Sequence, residues 1–472
     1  MIGKVISYSD FNGYGFIENS SKQSFFVHVS QIHREGLKTL ESGETVEFTP
    51  CQTMKGWQAN DVKIIHTDKQ PAKPNITVLK KNPFTPQDPI TDADKFAGRN
   101  SAIINSLDNL FNGKNVLISG PRGIGKSSLA YQLLYTTNGD VDLLERVGLN
   151  PEESTFNNLI CDHRCMPGNT LYDIANGLVN TALLNAGRKT KIESRKNSAG
   201  INLKYFSLST ETTERSLSPS DISLKLASEI ENIFNEYGFD RSGITFLIDE
   251  IDILDKDLDI ASFLKATFEK LRLNYHKNVC MILAGVTGTV TELINQHPSS
   301  NRLFENIILE KMSTEEQNEV ISLHLKDTGV SITDEARISI TNLSNAFPQP
   351  IHLLGYHSFK SDGNNIIELD DVELAKDHIV QTLKKQEFDS KFVRLDSGKT
   401  IEIIRRFATS RYETVTFNFL KDGLRHLTDR EIYGILGNLE DKQIIERVHK
   451  HTYKFTEPLF KIYIQWIFGI ME

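Results

Sequence analysis

The sequence predicts a multidomain protein with three successive folds: a small all-β barrel of the OB type, an α/β domain with a helical lid, and a small α+β module. Short alternating strand segments fill the first 66 residues, a glycine-rich turn follows an apolar strand near residue 120, and three helical stretches precede a hairpin at the end. A chain of 472 residues has room for about two to four domains. The predicted boundaries are 1–66 for the barrel, 67–92 for a proline-containing linker, 93–312 for the α/β core, 313–392 for the lid and 393–472 for the last module.

Composition narrows the function classes. The net charge is −9, which argues against a protein that coats duplex DNA over its whole surface. No apolar run of about 18 residues and no apolar signal core at the start are present, so we expect a cytoplasmic protein without a membrane partner. Cys161, His163 and Cys165 lack the paired spacing of a zinc site, and we expect these cysteines to be buried in a strand.

The first 66 residues read as five short strands separated by polar or glycine-containing turns, which suits a small closed barrel. Tyr14 and Phe16 are two residues apart, as are Phe26 and His28 on the next strand, so each pair points to one face of its strand. A barrel this small buries one side of each strand. The outward aromatic row therefore predicts a platform on which unpaired bases stack, although core packing is the alternative for such a strand pair.

The stretches GYGFIE and FFVHVS resemble the two ribonucleoprotein motifs of cold-shock domains, and the resemblance extends from Lys4 to Val62. It implies binding of single-stranded RNA or DNA. Carried over by position, the implied nucleic-acid-binding residues are Lys4, Tyr8, Tyr14, Phe16, Phe26 and His28. The family's usual first-strand tryptophan is Ser7 here, the aromatic after the histidine is Val29, and residues 1–66 hold six basic and seven acidic side chains. We therefore expect weaker binding than that of a free-standing cold-shock protein.

The stretch GPRGIGKSS at 120–128 lies between the apolar strand NVLIS and the helical pattern LAYQLL, which is the setting of a P-loop. Its glycines let backbone N–H groups face phosphate oxygens at the start of a helix. Lys126 is predicted to reach the β- and γ-phosphates of ATP, and Ser127 to ligate Mg²⁺. The predicted cofactor-binding residues of the loop are Gly120, Pro121, Arg122, Gly123, Ile124, Gly125, Lys126, Ser127 and Ser128.

Three further segments complete a predicted catalytic site. The apolar strand in GITFLIDEIDIL ends at Asp249 and Glu250, which we expect to hold the metal and to act as general base for a water molecule. A third strand ends near Thr287, a candidate contact to the γ-phosphate or the water, with Thr289 as an equally near alternative. Arg302 precedes another strand and is a candidate arginine finger acting on a neighbouring chain, with a surface salt bridge as the alternative.

From about residue 82 onward, the order NPF, FAGR, GPRGIGKS, LIDEID, RLFENI and AFPQPIHLLGY resembles the STAND and origin-recognition branch of AAA+ ATPases. This resemblance implies a nucleotide switch that assembles as a homo-oligomer, with Phe96 and Arg99 at the adenine side and Thr287 as sensor 1. The arginine that origin-recognition members place after the AFP proline is Gln349 here. The departure brings the chain closer to STAND regulators and implies slow hydrolysis.

The last 80 residues predict three helices, around TIEIIRRFA, TFNFLKDGL and TDREIYGILGNLEDK, followed by a strand–turn–strand, which is the pattern of a winged helix. Thr428 is a candidate cap of the third helix. The hairpin carries five basic or titratable side chains, which are Arg447, His449, Lys450, His451 and Lys454. In origin-recognition relatives this module grips duplex DNA, and in STAND proteins it often packs on the ATPase, so both roles stay open.

Together these features predict an ATP-dependent switch that hydrolyses ATP slowly and binds single-stranded nucleic acid through its barrel. Two alternatives remain. One is a DNA-loading or remodelling ATPase in which the barrel and the winged helix both hold DNA. The other is a nucleotide-binding sensor or scaffold, as in antiviral defence, whose output comes from a partner effector protein.

Overall fold

The computed structural model forms two compact units, Met1–Lys80 and Lys81–Glu472. It describes residues 1–9, 14–19, 21–33, 40, 43–53, 56–64, 81–152, 156–193, 218–237, 240–255, 257–275, 278–286, 288, 304–383, 398–410, 412, 414–442, 444–456 and 458–470. Among the helices within these ranges, none is both long enough and apolar enough to cross a membrane.

The first unit is a closed barrel. Its strands are β1 (Ile2–Ser9), β2 (Tyr14–Asn19), β3 (Ser24–His28), β4 (Ile32–His33), β5 (Thr45–Thr53) and β6 (Gly56–Ile64). They follow the order β3-β2-β1-β5-β6-β4, and pairing of Phe26 with Gln58 joins β3 to β6 and closes the barrel. The five predicted strands are confirmed, and the two-residue strand β4 is an addition.

The core of this barrel forms because inward apolar side chains alternate with outward side chains along each strand. Val5, Ile17, Val27 and Val46 point inward and are at most 1% exposed, while their neighbours along each strand point to solvent. The strands β1 and β2 approach closely at Gly15, where a Cβ atom would lie 2.2 Å from the carbonyl oxygen of Ser7. The outward side chains of β2 and β3 are therefore not part of the barrel core.

The second unit is built on a five-stranded parallel sheet. Its strands are β7 (Asn115–Ser119), β8 (Asn158–Arg164), β9 (Gly243–Asp249), β10 (Val279–Gly285) and β11 (Phe304–Ile308), in the order β11-β7-β10-β9-β8. The surrounding helices are α1 (Asn100–Phe111), α2 (Lys126–Thr137), α3 (Asp142–Arg146), α4 (Leu171–Glu193), α5 (Pro219–Tyr237) and α6 (Ile260–Tyr275). Strands β7, β9 and β10 are buried along their whole length, as expected for a sheet covered on both faces. Their carboxyl ends meet at one edge.

A helical lid follows the sheet. It contains α7 (Thr314–Leu325), β12 (Ser331–Ile332), α8 (Asp334–Leu343), α9 (Pro348–Ser361), β13 (Ile366–Ile367) and α10 (Leu369–Leu383). A capping box between Ser313 and Glu316 starts α7, as predicted. Helix α9 begins with two prolines near its first turn, and the Gln349 N–H donates to the carbonyl oxygen of Gly123 at 3.3 Å. The lid therefore rests on the glycine-rich turn.

The last module contains α11 (Gly398–Ala408), β14 (Thr414–Thr416), α12 (Phe417–Gly423), α13 (Asp429–Asp441), β15 (Ile445–His449), β16 (Thr452–Phe455) and α14 (Pro458–Phe468). The three predicted helices and the hairpin are present, and Thr428 caps α13 with Glu431 in a capping box. Strand β14 and helix α14 are additions. From α14, Ile462 and Trp466 are buried in the core of the lid, and the Trp466 indole donates to the Leu343 carbonyl at 3.3 Å. The module and the lid thus share a core.

Candidate functional site

A cavity of about 370 Å³ lies at the carboxyl edge of the parallel sheet. Its wall is made by residues 122–125 of the glycine-rich turn, the start of α2, the ends of β8 and β9, the first turn of α9, and the segment 85–90. Ligands of open parallel sheets bind at this edge, because loops and helix N-termini converge there. The cavity is therefore the candidate nucleotide site.

The turn 120–125 adopts backbone geometry that requires glycine. Gly120 and Gly123 have φ angles of 155° and 76°, and a Cβ atom on Gly123 would lie 2.5 Å from Oε1 of Gln349. The chain then enters α2 at Lys126, so the N-terminus of this helix faces the cavity. Arg122 points to Asp252, with 3.5 Å between its guanidinium and the carboxylate. The predicted loop residues from Gly120 to Ser128 all lie in the turn or the first turn of α2.

Lys126 is folded back onto the turn. Its Nζ donates to the Pro121 carbonyl oxygen at 2.9 Å. Burial lowers the pKa of Lys126, and the nearby carboxylates of Asp252 and Asp249 partly oppose that shift. The ammonium group therefore lies among opposite charges at the cavity floor, where the oxygens of a phosphate would complete its environment.

Asp249 ends strand β9 and is 1% exposed. Burial raises the pKa of its carboxyl, while hydrogen bonds from the Ser127 hydroxyl and the Glu250 N–H act in the opposite direction. Its Oδ2 atom is buried without a hydrogen-bond partner within the described part of the chain. A carboxylate oxygen beside a hydroxyl fits Mg²⁺, which takes a few protein oxygens together with phosphate and water. Among the described residues, no group of three or more His, Cys, Asp or Glu forms a metal site by itself, and Cys161 and Cys165 are buried as predicted.

Glu250 follows Asp249 and has a φ of 55°, in the left-handed region. Its Oε1 accepts a hydrogen bond from the Arg164 guanidinium at 2.6 Å. This bond raises the pKa of Arg164. No local sequence pattern indicates Arg164, although β8 is adjacent to β9 and the register places Arg164 opposite Asp249. A predicted strand order would have brought the two side chains to the same edge.

The opposite end of the cavity contains the predicted adenine-side residues. Phe96 is 6% exposed, and Arg99 has a φ of 64° with its guanidinium donating to the carbonyl oxygens of Glu310 and Ile124, at 2.7 and 3.1 Å. The Ser128 hydroxyl accepts the N–H of Ile90 at 3.0 Å. Phe96, Arg99 and Ser128 thus line the cavity. The polar groups of Arg99 and Ser128 already form hydrogen bonds with backbone atoms. Thr287, Thr289 and Arg302 lie outside the described residues.

A second candidate site lies on the first unit. Tyr14 and Phe16 on β2 are 40% and 41% exposed, and the ring of Phe26 on β3 lies 5.5 and 5.9 Å from theirs between centroids. His28 is paired with Tyr14 in the register, and its Nδ1 accepts the N–H of Ser30 at 3.3 Å. These four side chains form one continuous outward row, which is called the aromatic face below.

The other predicted nucleic-acid contacts differ in their surroundings. Lys4 is exposed on β1 opposite Glu18. Tyr8 packs partly against the barrel core. Beside the aromatic face, a groove of about 360 Å³ is lined by Phe26, His28, Ser30, Gln31, Gln58, Ala59 and Asn60. Trp57, which is absent from the predicted contacts, is 39% exposed and packs against Phe25 at 5.9 Å between ring centroids.

Three of the five basic or titratable side chains of the hairpin have partners. Arg447 lies 2.7 Å from Glu440, Lys454 lies 2.8 Å from Glu446, and His451 accepts or donates a 2.7 Å hydrogen bond with the Tyr433 hydroxyl. The neighbouring helix α13 carries four acidic residues and one basic residue. Of the five basic or titratable side chains of the hairpin, Arg447 and Lys454 are therefore matched by carboxylates.

These features define a class of protein: an OB-type barrel joined to a P-loop domain with a helical lid. A family model described as the 'Cold-shock' DNA-binding domain matches residues 1–65. A cold shock-like protein of Thermotoga maritima is 45% identical over 65 residues, which are 14% of this chain and 98% of that protein. Cold shock protein CspB of Bacillus caldolyticus is 45% identical over 60 residues, which are 13% of this chain and 91% of that protein. Through residues 1–65 the chain belongs to the cold-shock domain family.

The second unit has its likeness among solved structures. A Walker-type ATPase of Pyrococcus abyssi superimposes with a TM-score of 0.52 at 16% identity, covering 80% of this chain and 99% of that one. At this identity the likeness concerns the fold alone. The second unit therefore shares the fold of a Walker-type ATPase, in agreement with the predicted α/β fold class.

Proposed function

We propose that this protein is an ATP-dependent switch that binds and slowly hydrolyses ATP in its second unit and binds single-stranded nucleic acid through the aromatic face of its first unit. One observation carries the proposal. Lys126, Ser127, Asp249 and Glu250 converge on one cavity beside a glycine-rich turn and a helix N-terminus. The STAND-like regulatory role and the winged-helix nature of the last module are part of this proposal.

Each side chain has a role that its surroundings support. Backbone N–H groups of the turn and the start of α2 bind the phosphates, and Lys126 leaves the Pro121 carbonyl to join them. Ser127 and Asp249 would hold Mg²⁺, which would neutralise part of the charge of the bound phosphates. Glu250 accepts a proton from the attacking water, and Arg164 must release the carboxylate for this step.

The lid is placed to respond to the nucleotide. Gln349 touches Gly123 through its backbone and side chain, so a nucleotide in the turn changes the surface on which α9 rests. The neutral Gln349 amide gives less stabilisation to transition-state charge than a guanidinium, which is why we expect slow hydrolysis. Because the lid shares its core with α14, the last module reorients together with the lid. The γ-phosphate governs the switch through contacts that exist in one state only.

The aromatic face favours unpaired strands. Stacking on an aromatic side chain contributes about 1–3 kcal/mol per base, and bases in a duplex do not expose their faces. Ser7 and Val29 supply no rings, so the affinity is expected to be modest. The paired cations of the hairpin and the acidic helix α13 weigh against the rival DNA-loading function, which requires a basic duplex-binding surface.

A single set of titrations tests the proposal. Fluorescent single-stranded RNA, single-stranded DNA and duplex are titrated with the full chain, with and without Mg²⁺ and ATP, while phosphate release is recorded. We expect single-strand binding that changes with ATP, and slow phosphate release. Duplex binding that falls steeply with salt, together with fast stimulated turnover, would instead favour the loader. A Glu250→Gln variant that retains full biological output would favour the scaffold with its partner effector. Particle mass with and without ATP shows whether a homo-oligomer forms.

A further inference from the structure

The wall of the cavity away from the phosphates is formed by residues 85–90, which are called the strap below. Phe96, Met312, Val320 and His352 line the cavity together with the strap. If the turn holds the phosphates, the base of a nucleotide lies here, between these side chains and the strap. The strap contains Pro86 and Pro89, whose fixed φ angles make it stiff.

The strap is held at both ends by the second unit. At its start, the N–H of Thr85 donates to Nδ1 of His352 on α9 at 3.4 Å. At its end, the N–H of Ile90 donates to the Ser128 hydroxyl at 3.0 Å, and the Ile90 carbonyl accepts from Nε2 of Gln132 at 3.0 Å. Both groups of the Ile90 backbone are therefore fixed by side chains of α2.

Gln132 is an unusual residue for its position. It is 3% exposed, and it follows Leu129 and precedes Leu133 on the apolar side of α2. A buried amide lowers stability unless it is hydrogen-bonded, and the hydrogen bond here goes to the strap. The local sequence LAYQLL does not need a polar residue at this point for the helix or its core. The position of Gln132 is explained by the strap.

We propose that Gln132 is a positioning residue for the nucleotide base: by fixing the Ile90 carbonyl it holds the strap as a rigid wall, and so determines how strongly the site distinguishes one base from another. This inference rests on the proposed nucleotide-binding function. Base edges differ in their order of hydrogen-bond donors and acceptors. Backbone groups of the strap that are fixed in position would therefore favour one base, whereas mobile backbone groups could adjust to several bases. The strap is bonded to the start of α2 at Ser128, and the proposed phosphate and Mg²⁺ contacts of Lys126 and Ser127 do not include it.

The test compares Gln132→Met, which keeps the side-chain length and removes the N–H donor, with Thr137→Val on the same helix. Thr137 is also buried, and its hydroxyl bonds to the Leu134 carbonyl inside α2, away from the strap. Binding of ATP, GTP and inorganic tripolyphosphate with Mg²⁺ is measured by calorimetry on the full chain. For Gln132→Met we expect ATP binding weakened about fivefold, in the range of one lost hydrogen bond, and an ATP-to-GTP preference reduced by a similar factor. Tripolyphosphate binding stays unchanged, and KM for ATP rises without a change in kcat.

The control and the failures are distinct. Thr137→Val should bind all three ligands like the wild type, and Gln132→Leu, which also lacks the donor, should bind ATP as weakly as Gln132→Met. Equal weakening of ATP and tripolyphosphate would show a general packing defect, and unchanged ATP binding would show that the strap does not need Gln132; either result overturns the inference. A wild-type chain that binds none of the three ligands would contradict the proposed function itself.

Discussion

The two units reveal their candidate sites by opposite departures from the usual pattern of burial. The barrel exposes large rings, Tyr14 and Phe16, that would ordinarily be covered. The cavity of the second unit buries a carboxyl group, that of Asp249, which would ordinarily be solvated and whose Oδ2 atom has no hydrogen-bond partner in the described part of the chain. A nucleic-acid base would cover an exposed ring by stacking on it, and a metal ion would supply the missing partner of the buried carboxylate. Each unit therefore has side chains whose contacts are incomplete without its proposed ligand.

The largest expected effect separates the two units. Lys126→Ala removes the ammonium group at the phosphate end, and we expect ATP affinity to fall about 100-fold, as for the loss of a charge-assisted hydrogen bond. Single-strand binding without ATP should stay as in the wild type. Calorimetry with ATP and Mg²⁺ measures the first quantity, and fluorescence anisotropy measures the second. Lys114→Ala is the control, because Lys114 pairs with Glu305 outside the cavity. Retained ATP binding in Lys126→Ala would refute the phosphate site.

The reverse experiment removes rings from the aromatic face. Phe16→Ala combined with Phe26→Ala should weaken single-strand binding about 30-fold or more, because each ring stacks a base worth about 1–3 kcal/mol. ATP binding should not change. Tyr412→Ala is a matched control, since Tyr412 is 78% exposed but belongs to the second unit. Circular dichroism checks that the barrel remains folded, and a melted barrel would show that the rings are structural.

Features that depend on local sequence could be predicted, and features that depend on partners far along the chain could not. Alternation along β2 and β3 and the stretch at 120–128 are local patterns, and they led directly to the aromatic face and to the P-loop. Arg164 and Gln132 act through partners far along the chain, Glu250 and Ile90, and no local pattern marks them. The proline-containing stretch 67–92 reads as a linker by composition, yet its residues 82–90 contact the lid and α2.

A smaller effect is expected at the Arg164–Glu250 pair. Arg164→Ala frees the carboxylate, so ATP hydrolysis should rise about fivefold at unchanged ATP affinity, because the general base no longer has to break a 2.6 Å bond. Glu250→Gln should lower hydrolysis about 100-fold or more. Single-turnover phosphate release at saturating ATP measures both rates. A fall in rate for Arg164→Ala would mean that Arg164 assists the reaction instead of restraining the base.

The smallest expected effect concerns stability without ligand. Burial raises the pKa of Asp249, so the folded state takes up a proton at a pH where the unfolded chain is still ionised. The ionised carboxylate therefore opposes folding, and more so as pH rises through that range. Asp249→Asn should raise the melting temperature of the ligand-free protein by a few degrees at pH 7 and by less at acidic pH, where both states of the wild type are protonated. Mg²⁺ with ATP should then stabilise the wild type and not the variant, as scanning calorimetry can measure. A ligand-free variant that melts below the wild type would show that protein contacts already satisfy the Asp249 carboxylate. The cavity would then not contain a buried polar group that needs a ligand, and the proposed contrast with the exposed rings of the barrel would fail.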